Sequence, residues 1–132
     1  MAQVKVVIRY TDGRIVKGYT NDFFPNKPAF HVGSGPSDKG VQIQVDELKA
    51  VFFVKDFGGD PQYDDHKAFK EGQAKQGRKV LMTFNDGEML AGSILGYDRN
   101  RPGFFLVPSD PDSNNLRVFV VQAAVDQFEF VQ

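Results

Sequence analysis

The feature that most constrains this chain is a repeat. Residues 6–18 align without a gap on residues 80–92, an offset of 74, and an Asp-Gly pair followed five positions later by Gly falls at the same place in both (Asp12-Gly13 and Gly18, Asp86-Gly87 and Gly92). The register carries on through Pro28 against Pro102 and Phe30 against Phe104, and after a three-residue insertion residues 48–54 meet residues 125–131. Self-similarity at a fixed spacing marks one supersecondary unit used twice, so the expectation is an internal duplication. A unit of half this length buries only roughly 60% of its unfolded surface and is marginal alone; the two units are therefore expected to lean on each other.

Alternation and turn chemistry divide each unit into five strands. In the first unit they are expected at residues 4–11, 14–21, 29–33, 41–46 and 48–55. Asp12-Gly13 and Asp86-Gly87 are read as two-residue type I′ turns, which need positive φ at both central positions. Gly18 and Gly92, inside second strands, suggest a bend or bulge where a short sheet curls to close. The fold class that follows is all-β: two tandem five-stranded SH3/Sm-like small barrels, residues 1–55 and 79–132, joined by a polar linker at 56–78 rich in Gly, Pro and charge, with room for a short helix near residues 64–71.

Composition narrows the function classes. The 132 residues include 13 Phe, enough for an aromatic core. Sixteen basic residues against seventeen acidic give a net charge of −1, without the electrostatic footprint of sequence-independent nucleic-acid binding. There is no cysteine, which excludes disulfide scaffolds, Cys-zinc sites, iron–sulfur clusters and thiol catalysis. No secretory signal and no apolar run of about 20 residues is seen, so the expected location is the cytoplasm, with no membrane contact. Asp110 to Asn115 imitates the opening of a calcium loop, but Asn115 stands where the loop needs Gly and Val121 where it needs a bidentate Glu. Asp60, Asp64, Asp65 and His66 read as solvated linker residues rather than a metal site, and His31 as a satisfied strand histidine. No nucleophile motif or phosphate-cradling Gly loop is found; the chain is expected to be non-enzymatic, without metal or cofactor.

At the level of strand grammar each unit resembles the Sm-like fold. Gly92-Ser93-Ile94-Leu95-Gly96-Tyr97-Asp98 is similar to the first half of the Sm signature, and Val120-Val121-Gln122-Ala123-Ala124-Val125 stands where the second belongs. The resemblance implies a bent five-stranded barrel whose last two strands are joined by a very short turn, and association through strand edges. It does not bring the RNA-reading residues with it: Arg101-Pro102 and Ala123-Ala124 occupy their places, and Phe23-Phe24 stands in the first unit where the Asp belongs. The chain also resembles a bacterial family of tandem barrels to which no activity attaches.

Binding remains. Phe23, Phe24, Tyr97, Arg99 and Arg101 sit in or beside the matched Pro-containing loops and form the candidate surface, since aromatic faces with Arg donors are enriched at protein-interface hot spots and also stack single-stranded bases. The alternative for Phe23 or Phe24 is a lid on the core. Residues 50–54 and 117–121 are apolar on both faces, so each strand needs a second buried side, met by the other unit or by a second chain. The expected function is a protein-binding or assembly module acting through strand edges or the paired loops, with a protein partner or self-association. The alternatives are an RNA or single-stranded nucleic-acid binder and, third, a small-ligand barrel.

Overall fold

The computed structural model describes residues 4–35, 38, 40–55, 57, 78–94, 100–109 and 114–131. Among these residues ten strands run in chain order: β1 (Val4–Tyr10), β2 (Ile15–Thr20), β3 (Ala29–Val32), β4 (Val41–Gln44), β5 (Leu48–Val54), β6 (Arg78–Phe84), β7 (Met89–Ile94), β8 (Gly103–Pro108), β9 (Asn115–Val121) and β10 (Val125–Phe130). Three-residue 3-10 turns, Val45–Glu47 and Gln122–Ala124, join β4 to β5 and β9 to β10. The class is all-β, and the strands of the first half lie within two residues of the expected ones. The chief difference is the 3-10 turn that takes over where the fourth strand was read on to Asp46. The expected linker helix falls outside the described residues.

The barrels do not appear as expected. Eight strands form one antiparallel sheet in the order β10-β6-β7-β8-β9-β5-β1-β2, while β3 and β4 pair as a separate hairpin. Among the described residues no ladder closes either half into a barrel. The reason lies in the middle of the sheet. There β5 pairs with β9 of the other half, Ala50 opposite Val120 and Phe53 opposite Arg117, so the edges that two separate barrels would keep apart are spent on joining the halves. Strand order is nonetheless the same in both: β10-β6-β7-β8-β9 matches β5-β1-β2 continued by β3-β4, with the β2–β3 contact reduced to the bridge between Tyr19 and Gly33.

Two apolar clusters lie on opposite faces of this sheet. One gathers Val80, Met82, Phe84, Leu106, Val118 and Val120 from the second half with Val7, Ala50, Phe52 and Val54 from the first. The other gathers Val6, Ile8, Phe30, Ile43, Val51 and Phe53 from the first half with Phe119 and Val121 from the second. Alternate residues of a strand point to opposite faces, and here both faces are covered. All seven residues of β5 are buried for this reason. At about 0.8 kcal/mol per buried CH₂, a joint of Val, Phe and Ala on two faces is a main source of stability.

The Asp-Gly hairpins differ from the expected type I′ turns. Gly13 (φ 97°) and Gly87 (φ 93°) have positive φ, whereas no non-glycine residue described does. The chain instead makes a longer loop in which Gly13 N donates to Tyr10 O (3.1 Å) and Tyr10 N to Arg14 O (2.9 Å), with matching bonds at Gly87 and Phe84 (2.9 and 2.8 Å). This is a turn followed by a left-handed glycine, in which the aspartate needs no strained backbone. Its carboxylate instead accepts from the backbone two residues on, Arg14 N and Glu88 N, at 3.0 Å each. Gly18 and Gly92 mark close approach rather than a bulge. A methyl group on Gly18 would stand 2.5 Å from Val32 Cγ1 and 2.7 Å from Gly33 O, and one on Gly92 would collide with Val107 O. The third strand of each half approaches the second closely at that point.

Candidate functional site

The paired loops are tied to the fold in the same way in both halves. Val45 N donates to Pro28 O (2.9 Å) and Gln122 N to Pro102 O (3.0 Å), so each proline loop hangs on the first residue of its 3-10 turn. Each turn also holds the hairpin at the start of its half: Thr11 N donates to Glu47 O (3.2 Å) and Asn85 N to Ala124 O (2.9 Å). A proline at the loop's end carries no N–H of its own to satisfy. Its carbonyl is free to take the turn's first donor.

Because β5 and β9 are neighbours, the two proline loops and the two turns come together. Between them is a groove of about 320 Å³. Pro28 and Val45 line it from the first half, and Pro102, Val121 and Ala123 from the second, with Asn26, Lys27 and Asp46 as its polar part. Lys27 Nζ also stands 4.8 Å from the centre of the Phe24 ring, and Lys27 N donates to Phe24 O (3.1 Å). Phe24 keeps 40% of its surface exposed, so the cation–aromatic pair is offered to solvent.

The candidate residues are only partly brought together. Phe24 is at the groove through Lys27, and Arg101 is exposed beside Pro102, its carbonyl accepting from Gln122 Nε2 (3.2 Å). Phe23 is instead half-buried in the aromatic core: its ring lies edge-on to Phe30, Phe53, Phe105 and Phe119, with centroids 4.9 to 6.0 Å apart. It acts as the lid on the second cluster. Arg117 covers the same group, its guanidinium 4.6 Å from the Phe53 ring and 4.4 Å from that of Phe105. Tyr97 and Arg99 lie outside the described residues, as do Asp60, Asp64, Asp65, His66 and the first four residues of the calcium-like segment.

The loop that carries Phe23 and Phe24 is anchored by Asp22. Its carboxylate accepts from His31 N (2.9 Å), lies 2.7 Å from His31 Nδ1, and accepts from Thr20 Oγ1 (3.1 Å). Partial burial pushes its pKa up, but the His31 backbone and ring and the Thr20 hydroxyl outweigh that, and the carboxyl titrates below the ordinary range. His31 is thus a satisfied strand histidine. Among the described residues no three His, Asp or Glu side chains converge on a common point, and no helix is long and apolar enough to cross a membrane.

Sequence reading missed Lys27, Val45, Asp46 and Val121 as groove residues. Their signal was indirect. Pro28 and Pro102 coincide in the repeat and the turn Gln122-Ala123-Ala124 is conspicuously short, but only the β5–β9 joint puts these segments side by side.

The molecule is thus an all-β protein with an eight-stranded sheet, a separate hairpin and an apolar groove between its two proline loops. It belongs to DUF6982, a family of unknown function, whose model matches residues 2–132. No curated protein and no solved structure matches the chain.

Proposed function

We propose that this chain is a non-enzymatic binding module that takes a segment of a protein partner into the groove between its paired proline loops. One observation carries the reading: two loops 74 residues apart in sequence, each hung on a 3-10 turn by the same hydrogen bond, line one apolar groove. Lys27 and Asp46 give its rim both signs of charge, which suits a polypeptide better than a polyanion. A cytoplasmic location, duplication of a single small β unit, two units at residues 1–55 and 79–132, and kinship with the Sm-like fold belong to the same proposal. The duplication, the two units and the kinship are supported by the sequence repeat, the common strand order and the short turn before each last strand.

Single-stranded nucleic acid is the second reading, favoured by exposed Phe24 with Lys27 over its ring and by Arg101 nearby. Ala123 is exposed, so Ala123→Arg fills the groove without disturbing the core. The test uses wild type and Ala123→Arg as baits in a lysate of the source cells, together with a mixed-sequence RNA oligomer at low and moderate salt. Retention of a discrete protein by wild type, its loss from Ala123→Arg and no RNA binding are expected. Identical captures by both baits overturn the groove reading. RNA binding that weakens with salt and disappears in Ala123→Arg moves the assignment to nucleic acid.

A further inference from the structure

The joint between the halves has a counterpart at the outer ends of the molecule. The 3-10 turns at Val45–Glu47 and Gln122–Ala124 correspond at an offset of 77; by that offset β5 matches β10 and β4 matches β9. Inside the chain β5 pairs with β9. Among the described residues their counterparts, β10 and β4, each have a neighbour on one side only: β10 ends the large sheet, and β4 pairs with β3 alone. Each edge therefore has the shape of one half of the internal joint. Applied to a second copy, the register of Ala50 opposite Val120 and Phe52 opposite Val118 becomes Gln127 opposite Ile43 and Glu129 opposite Val41. Repetition of that contact would add copies head to tail.

The side chains oppose it. At the internal joint Ala50, Phe52 and Val54 on β5 and Phe119 and Val121 on β9 reach into the other half's cluster; Val54 keeps an apolar counterpart, Val131, and the other four positions do not. At the outer edges those four positions hold Gln127 and Glu129 on β10, and Gln42 and Gln44 on β4, all exposed. The ion pair changes as well. Lys49 reaches across the joint to Asp86 Oδ2 (2.7 Å) and to Glu88. Its counterpart Asp126 would meet the Asp12–Arg14 pair, already closed on itself at 2.8 Å.

We propose that Gln42, Gln44, Gln127 and Glu129 hold two complementary edges apart, so that the chain is an arrested two-unit segment of a head-to-tail assembly whose latent partner is a second copy of itself. Polar and charged residues on unpaired edges are a recognised way of stopping such growth. Removing them at one edge restores half of a joint. Removing them at both edges of one chain gives a molecule that can propagate.

The test is light scattering after size exclusion. Wild type is expected as a monomer of 14.8 kDa. One variant copies β5 onto β10, with Gln127→Ala and Glu129→Phe; another copies β9 onto β4, with Gln42→Phe and Gln44→Val. All four positions are exposed, so both variants are expected to fold. Each alone stays monomeric, and their equimolar mixture doubles in mass and stops there. The chain carrying all four changes grows further with concentration. An oligomeric wild type, self-association of either variant alone, or a mixture that stays monomeric each overturns the proposal. The masses are read in chains that keep Ala123, so the groove reading and this one are tested by separate variants.

Discussion

Lys49 is a lysine almost wholly removed from water, and a backbone irregularity put it there. The β1–β5 register shifts between Arg9 and Tyr10, leaving Lys49 as the extra residue of a bulge, and bulges re-aim side chains. The ammonium then stands 4.7 Å from the Phe84 ring centre and bonds Asp86 and Glu88 of the other half. Asp86 remains more than half exposed, so the two partners are not equivalent. Lys49→Met is expected to change stability by less than about 1 kcal/mol, whereas Asp86→Asn with Glu88→Gln strands a buried cation and costs on the order of 3 kcal/mol. Urea denaturation at neutral pH measures both. Sequence could not show this residue, because a lysine in an alternating strand reads as solvent-facing until the alternation is broken. The hairpin aspartates were legible, since Asp-Gly carries its own turn chemistry.

Acid acts on stability through the aspartates. Backbone N–H donors at Arg14 lower the pKa of Asp12, those at Ser34 and Gly40 lower that of Asp38, and the Lys49 ammonium lowers that of Asp86; Asp22 is lowered too. A folded pKa below the unfolded value means stability present above the ordinary carboxylate range and lost as pH falls through the depressed value. The urea midpoint is therefore expected to fall steeply below about pH 4. In Asp22→Asn it should start lower and fall less. A midpoint equally steep in that variant would remove Asp22 from the account.

At the scale of elements, alternation and turn residues located the strands because they act locally. The short link at Gln122–Ala124 shows in the sequence, whereas its counterpart at Val45–Glu47 does not, because three residues have no period to read. Gly18 and Gly92 stand out in the sequence, but the constraint on them comes from the close approach of the third strand alongside, which no neighbour in sequence reveals. Gly92→Ala meets backbone as well as the Leu106 side chain and is expected to cost about 1–3 kcal/mol; Gly35→Ala, with open space around it, should be neutral. Ser93 lies next to Gly92 on β7, buried, with no partner for its hydroxyl among the described residues. Ser93→Ala is expected to hold or raise stability by up to about 1 kcal/mol, as loss of an unpaired buried hydroxyl should. Thermal denaturation of the three variants checks these signs.

At the scale of the whole molecule, the sequence announced strands with two apolar faces but not their partners. A repeat says that two units are alike, and nothing about which edge of one meets which edge of the other. The candidate site suffered from the same gap. Phe23 packs on Phe105 and Phe119 of the other half as well as on Phe30 and Phe53 of its own. Residues 1–57 and 78–132 produced as separate chains are accordingly expected to lack a cooperative transition and to regain one when mixed, as followed by circular dichroism.

The seven buried residues of β5, Leu48–Val54, face a problem of timing as the chain is made. Their partner β9 begins at Asn115, about sixty residues further along, and at roughly 5–20 residues per second the ribosome takes about 3–12 s to reach it. For those seconds the nascent chain exposes an apolar ribbon with an open edge, the kind of segment that chaperones bind and neighbouring nascent chains capture. Slow codons after β5 should lower the yield of soluble protein, and slow codons after β9 should not.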